Sequence, residues 1–253
     1  MTFSIHRAGA YADNNVGNSA SSRIRDTRTQ IAKYTQDLTG KKIAVGPGSL
    51  LYFHWVGVEA ILDIWATAAG FRPSGDQDLP STGGDSPSDQ GNKLIDQQVA
   101  AVRSQIEQMT KNAAIQMYSS AIILMTIPPL EGSPRVVTQI KAWSDKNKLS
   151  ASLYRDIIQR LVRRYNQGLN AIADSFKADN STNVDFIKVF DTAPTWNRIL
   201  EAPAKYGLVN VTDAVDLAGN PNQYFYVDSL YPSSTVQAVL GDNVAQFVKS
   251  IKV

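Results

Sequence analysis

The groups able to do chemistry are few, and they sit in three short stretches. Glu59 follows the apolar run Leu51-Tyr52-Phe53-His54-Trp55-Val56-Gly57-Val58. Asp228 and Tyr231 belong to Tyr224-Phe225-Tyr226-Val227-Asp228-Ser229-Leu230-Tyr231-Pro232. Ser86 lies in Gly84-Asp85-Ser86-Pro87-Ser88-Asp89-Gln90-Gly91-Asn92. Carboxyl groups and a phenol are proton-transfer groups. In a half-buried cleft the pKa values of two carboxyls are pushed apart, so that one serves as acid and the other as base. A serine hydroxyl needs more, namely an adjacent base and a rigid strand to hold it. There is no cysteine, which excludes disulfides, thiolate metal ligands and a thiol nucleophile. The only histidines are His6 and His54, too few for a His-built metal centre. Neither a metal nor a cofactor is expected.

The elements that must carry these groups read as α/β. Continuous apolar runs at Leu50–Val58, Ala121–Ile127 and Val184–Phe190 predict parallel strands buried on both faces, and Thr2–His6 is a weaker fourth. Between them lie helical periodicities over Ser22–Asp37, Glu59–Ala69, Lys93–Ala113, Ser150–Phe176 and Thr235–Ile251. Lys93–Ala113 sets Ile95, Val99, Val102 and Ile106 on one face. Strands alternating with helices predict a single domain over residues 1–253, a doubly wound α/β/α sandwich with a mainly parallel sheet. Residues 71–92 hold almost nothing to bury and read as a long surface loop or lid.

Composition narrows the partners. A hydrophobic share of 43% and a charged share of 19% are those of a soluble globule. A net charge of +2, with no basic run longer than Lys41-Lys42 or Arg163-Arg164, offers nothing to nucleic acid. No apolar run reaches the ~18 residues of a membrane span. The first residues lack the apolar core of a signal peptide, so a cytoplasmic location is expected, or a secreted one if the chain is a mature or truncated form. Asn180-Ser181-Thr182 and Asn210-Val211-Thr212 match the glycosylation pattern, but such tripeptides arise often by chance.

Several blocks, in order, resemble those of the GDSL, or Ser-Gly-Asn-His, hydrolase superfamily, especially its fungal and plant members. The run ending Gly57-Val58-Glu59-Ala60 is similar to a strand that ends Gly-x-Asn-Asp in that family, and Asp228-Ser229-Leu230-Tyr231-Pro232 to Asp-x-x-His-Pro. Ile127-Pro128-Pro129-Leu130 resembles the strand end Pro-Pro-Leu, and Tyr165-Asn166-Gln167-Gly168-Leu169 a Tyr-Asn-x-x-Leu helix. Pro203-Ala204-Lys205-Tyr206-Gly207-Leu208-Val209-Asn210 resembles Pro-x-x-Tyr-Gly-Phe-x-Asn. Ala8-Gly9-Ala10-Tyr11 is similar to the block that supplies an oxyanion-hole glycine, a role the resemblance assigns to Gly9. It also implies a flavodoxin-like, three-layer scaffold.

The departures remove the family's chemistry. The Gly-Asp-Ser strand should precede Thr2–His6 and is missing. Either Thr2–His6 and Leu50–Val58 then pair directly in a rearranged sheet, the lost strand being simply missing or replaced, or a second chain fills the gap, which would make the protein a homodimer. Glu59 stands for the oxyanion-hole Asn, and its negative charge would repel an oxyanion. Tyr231 stands for the base His; with an ordinary phenol pKa near 10 it is a poor acceptor of a serine proton. Asp228 has lost the base it would orient. Gly84-Asp85-Ser86 imitates the lost nucleophile block, but Leu79-Pro80-Ser81-Thr82-Gly83 is no strand, so Ser86 reads first as a helix cap.

If the family's architecture holds, Glu59, Asp228 and Tyr231 converge where the triad stood. The leading expectation is therefore a repurposed acid/base enzyme that isomerises, cyclises or eliminates within a small organic molecule. Alternatives are a catalytically dead protein binding a small molecule, lipid or carbohydrate, and a residual esterase using Ser86. For Glu59 and Asp228 the plain structural roles are a helix cap and a turn hydrogen bond. Gly9, Gly57, His54 and Trp55 are the candidate ligand-binding residues. His54, in mid-strand, reads first as a satisfied core histidine. The tryptophans read mostly as core, with one or two lining an apolar or sugar-stacking pocket.

Overall fold

The computed structural model describes residues 11–16, 26–43, 45, 49–70, 86–176, 183–215 and 219–251. Gly9 and the strand expected over Thr2–His6 lie outside them. The contacts divide the chain into two compact units, Met1–Met125 with Arg163–Val189, and Thr126–Val162 with Phe190–Val253. The protein is α/β, with small parallel sheets. Among the described residues no helix is long and apolar enough to cross a membrane.

The first unit is built on strands β1 (Leu50–His54), β2 (Ser120–Met125) and β3 (Val184–Phe190), in that order across the sheet. β1 runs parallel to β2, with Leu51 opposite Ala121 and Phe53 opposite Ile123. The Ser120 N–H donates to the Asn183 carbonyl and the Thr126 N–H to that of Phe190, so β3 runs the same way. β2 is buried throughout, as its unbroken apolar run requires. β1 corrects the sequence reading. It ends at His54 rather than Val58, and its burial alternates, leaving Leu51 39%, Phe53 49% and Trp55 41% exposed. A strand with one less covered face alternates, where the expectation for Leu50–Val58 was two covered faces.

Helices α1 (Thr27–Thr39), α2 (Val58–Ala68) and α3 (Pro87–Thr110) complete this unit with the latter part of α5 (Ala151–Ser175). Asp26 caps α1, its Oδ1 accepting from the Thr29 N–H at 2.8 Å. Burial works against the Asp26 carboxylate, but hydrogen bonds from Thr29 and Asn14 and the nearby Arg28 outweigh it and hold its pKa down. α3 presents Ile95, Val102, Ile106 and Met109 to the core. Gln98 and Gln105 share that face; their amides donate to the Asp13, Val16 and Ala12 carbonyls and fasten the 11–16 segment. α3 and α5 pack closely at Gly168, where an added Cβ would stand 2.6 Å from both methyls of Val99. Arg164 grips Asp96 beside this contact with Nε at 2.6 Å and Nη2 at 2.7 Å.

The second unit holds α4 (Pro134–Asn147), the first half of α5, α6 (Ala193–Glu201), α7 (Ser234–Ser250) and the parallel pair β4 (Asn210–Ala214) and β5 (Tyr224–Tyr226). Its core gathers Trp196, Ile199, Leu208, Phe225, Tyr226 and Val236, with Trp196 edge-on to Phe225 at 4.8 Å. Trp143 meets Tyr154 edge-on at 5.5 Å, and Asn147 donates to the Tyr154 hydroxyl. After β2 and β3, the Thr126 and Thr192 hydroxyls meet at 3.1 Å, and Thr126 donates to Asp191.

Candidate functional site

In the first unit the strand-to-helix corner after β1 is set by Gly57. Its φ of 128° lies where side-chain-bearing residues are strained. A Cβ here would stand 2.6 Å from Cζ and 2.8 Å from the hydroxyl of Tyr165. That hydroxyl donates to the Val56 carbonyl at 2.8 Å, tying α5 to the corner. Burial pushes the Tyr165 phenol well above its ordinary range, so it is a fixed donor rather than a titrating group. Gly57 is thus required by the packing of Tyr165 against this corner.

Glu59 follows in the first turn of α2, where a carboxylate favours the helix dipole. Asp63, one turn on, accepts from the Tyr11 hydroxyl. His54 closes β1 with Nε2 3.3 Å from the Gln105 Oε1, an oxygen that also accepts from the Thr27 hydroxyl at 2.7 Å. Because an amide oxygen only accepts, Nε2 carries the proton and Nδ1 the lone pair. Burial lowers the His54 pKa, and the Gln105 bond only partly offsets this. His54 is therefore a neutral, hydrogen-bonded imidazole. Trp55, just past the strand, is 41% exposed.

Asp228 and Tyr231 belong to the second unit, and a single turn brings them together. The Asp228 Oδ1 accepts from the backbone N–H groups of Leu230 and Tyr231, both at 2.7 Å. The Val227 N–H donates to the Tyr231 carbonyl at 2.9 Å, and Tyr226 bridges antiparallel to Pro232. The Ser229 carbonyl accepts from the Arg135 N–H in the first turn of α4. Ser233 then caps α7. Asp228 is exposed, and it does here what aspartates do in tight turns, substituting a carboxylate oxygen for a backbone acceptor. Behind the turn, burial pushes the Tyr226 hydroxyl up to about 12, with the Trp196 indole opposing and the Glu131 charge adding to the shift.

Ser86 caps α3. Its hydroxyl accepts from the Asp89 N–H at 3.2 Å and donates to the Asp89 carboxylate at 2.7 Å, on an exposed surface. From Ser86 onward the stretch expected as loop is helical, with Pro87 in the first turn; residues 71–85 lie outside the described part. Among the described residues no imidazole meets this serine, since His54 bonds Gln105; His6 lies outside them. Among the described residues no three His, Cys, Asp or Glu side chains gather as metal ligands.

Two groups escaped sequence reasoning. Tyr165 was read as part of a helix, with no sign that it would close the Gly57 corner. Gln105 did carry a signal. With Gln98 it is a polar residue at the spacing of Ile95, Val102 and Met109, and a polar residue on a buried stripe must find partners. Compared with known proteins, the chain matches no family model and no curated sequence.

Proposed function

We propose that this chain is an SGNH-hydrolase-like protein, on the flavodoxin-like three-layer plan of that family, that binds a small organic molecule and has given up triad ester hydrolysis. The observation that carries the reading is how the hydroxyl and carboxylate of the imitated motifs are used. The Ser86 hydroxyl serves the first turn of α3 with Asp89, and the Asp228 Oδ1 serves two backbone N–H groups of its own turn. Groups committed to backbone geometry are poor nucleophiles and poor proton carriers, because using them breaks the bonds that shape the turn. Exposed aromatic surface at Phe53 and Trp55 suits a largely apolar ligand such as an ester.

The test pairs turnover with binding. Intact mass should show no adduct after a fluorophosphonate ester, and p-nitrophenyl butyrate should release phenol no faster than in buffer. Tryptophan fluorescence should saturate as methyl octanoate is added. A covalent adduct that disappears in Ser86→Ala would replace this reading with a residual esterase.

A second reading, acid/base turnover through Asp228 and Tyr231 of one turn, is favoured by one feature. The Asp228 Oδ2 takes no part in the turn and sits on an exposed side chain. Conversion of any member of a panel of hydroxy and keto acids, lost in Asp228→Asn and in Tyr231→Phe tested singly, would establish it.

A further inference from the structure

The imidazole of His54 is held by one nitrogen and idle at the other. Its Nε2 lies 3.3 Å from the Gln105 Oε1. That oxygen cannot change places with the amide nitrogen. The Gln105 Nε2 donates to the Ala12 carbonyl at 2.7 Å, and the Thr27 hydroxyl donates to Oε1, also at 2.7 Å. A flipped amide would set oxygen against oxygen at Ala12. Gln105 itself is buried on α3. The amide therefore fixes both the orientation of the ring and its tautomer, with the proton on Nε2 and a lone pair on Nδ1. Burial keeps the ring neutral, so Nδ1 accepts and does not donate.

A histidine that serves only the core has both nitrogens satisfied by protein. Among the described residues no donor meets the His54 Nδ1. Nor is Nδ1 one of the polar atoms sealed from solvent without a partner, as the Oε1 of fully buried Gln98 is. It opens instead to the surface of a half-buried residue. The place matters as much as the atom. His54 is the last residue of β1, which runs parallel to β2, and open parallel sheets take their ligands just outside the carboxyl ends of the strands. An oriented, solvent-facing acceptor at that end is a receptor for a hydrogen-bond donor.

We propose that the His54 Nδ1 is the polar anchor of a ligand site in the first unit, and that it takes the hydroxyl of a small alcohol. This rests on the small-molecule reading above and narrows its ligand class. A neutral Nδ1 carries a lone pair and no proton, so it favours a hydroxyl and repels a carboxylate. An ether or ester oxygen brings no proton, and it displaces the water that Nδ1 would otherwise bind. An ammonium group would find no countercharge on a neutral ring to offset its lost hydration. Gln105 acts through the imidazole, as a positioning residue that keeps Nδ1 turned outward.

The test compares octanol, its methyl ether and methyl octanoate by tryptophan fluorescence on the full chain. The alcohol should bind about 2- to 10-fold more tightly than the ether, the worth of one hydrogen bond. In His54→Phe that preference should vanish while the ether binds as before. A measurement on the unsubstituted chain guards against a misfolded variant. Diethyl pyrocarbonate acylates an accessible, unprotonated imidazole nitrogen, and His6 and His54 are the only histidines. Peptide mass should show His54 acylated at neutral pH, and octanol should slow this where the ether does not. An unmodified His54 would overturn the proposal, as would a preference for the alcohol that survives in a folded His54→Phe. If none of the three compounds binds, the small-molecule reading falls and the anchor with it. If methyl octanoate binds and the alcohol shows no advantage over the ether, only the anchor at His54 falls.

Discussion

The corner at Gly57 and the turn at Asp228 are both bends that follow a strand and carry a carboxylate close by, and they are held in opposite ways. At Gly57 the backbone is fixed from outside: Tyr165 fills the space a side chain would need and holds the Val56 carbonyl, 109 residues away in sequence. At Asp228 the bend is largely fixed from within, by one carboxylate oxygen and two N–H groups no more than three residues along. A corner closed by packing tolerates no new atom. A turn closed by its own side chain tolerates any residue that keeps the acceptor.

Gly57→Ala should break this comparison hardest. A positive-φ alanine meeting Tyr165 at 2.6 Å combines strain with overpacking, for about 3 kcal/mol or more, readable as a large drop in the urea midpoint. Tyr165→Phe removes the donor but not the packing, and should cost about 1 kcal/mol by leaving the buried Val56 carbonyl short of a partner. Asp228→Ala should cost about 1 kcal/mol or slightly less, while Asp228→Asn keeps the accepting oxygen and should be close to neutral in the same assay. Equal losses for Ala and Asn at 228 would mean that charge, not the turn bond, matters there. Ser86→Ala should cost roughly 0.5–1 kcal/mol through the lost cap of α3 and leave ligand binding unchanged.

The pH dependence is smallest at neutral pH and grows on acidification. His54 has a folded pKa below its free value of 6.5. Between the two values the unfolded chain binds the proton and the folded chain does not, so stability falls as pH drops below about 6.5 and stops falling once folded His54 is itself protonated. His54→Gln should remove that slope from urea titrations. An unchanged slope would mean that another group carries it.

The long periodic elements were legible before any coordinates. Val184–Phe190 is a strand over those same residues, and the helix read over Ser150–Phe176 spans Ala151–Ser175. Strong 3.6-residue periodicity in a long segment leaves little choice of element. α4 was missed although Ser133-Pro134 and the spacing of Val136, Ile140 and Trp143 announce it, a cap followed by proline in the first turn. β5, at three residues, is too short to show a period, and its Tyr224-Phe225-Tyr226 was read only as part of a motif. At the candidate site the local roles were legible: Glu59 in a first helical turn, Asp228 bonded to nearby backbone, Ser86 at a helix start. The partners of Gly57 and His54 were not, because Tyr165 and Gln105 reach them only after α5 and α3 have packed.

By itself, then, the sequence determined what near neighbours can settle: caps, turns, amphipathic helices and the absence of thiol chemistry. Each depends on groups a few residues apart, whose geometry the backbone already restricts. The tertiary structure decided which face of β1 is covered, why residue 57 must be glycine, and which nitrogen of His54 holds the proton. Those outcomes depend on atoms brought together from distant parts of the chain, and no local pattern records which of them will meet.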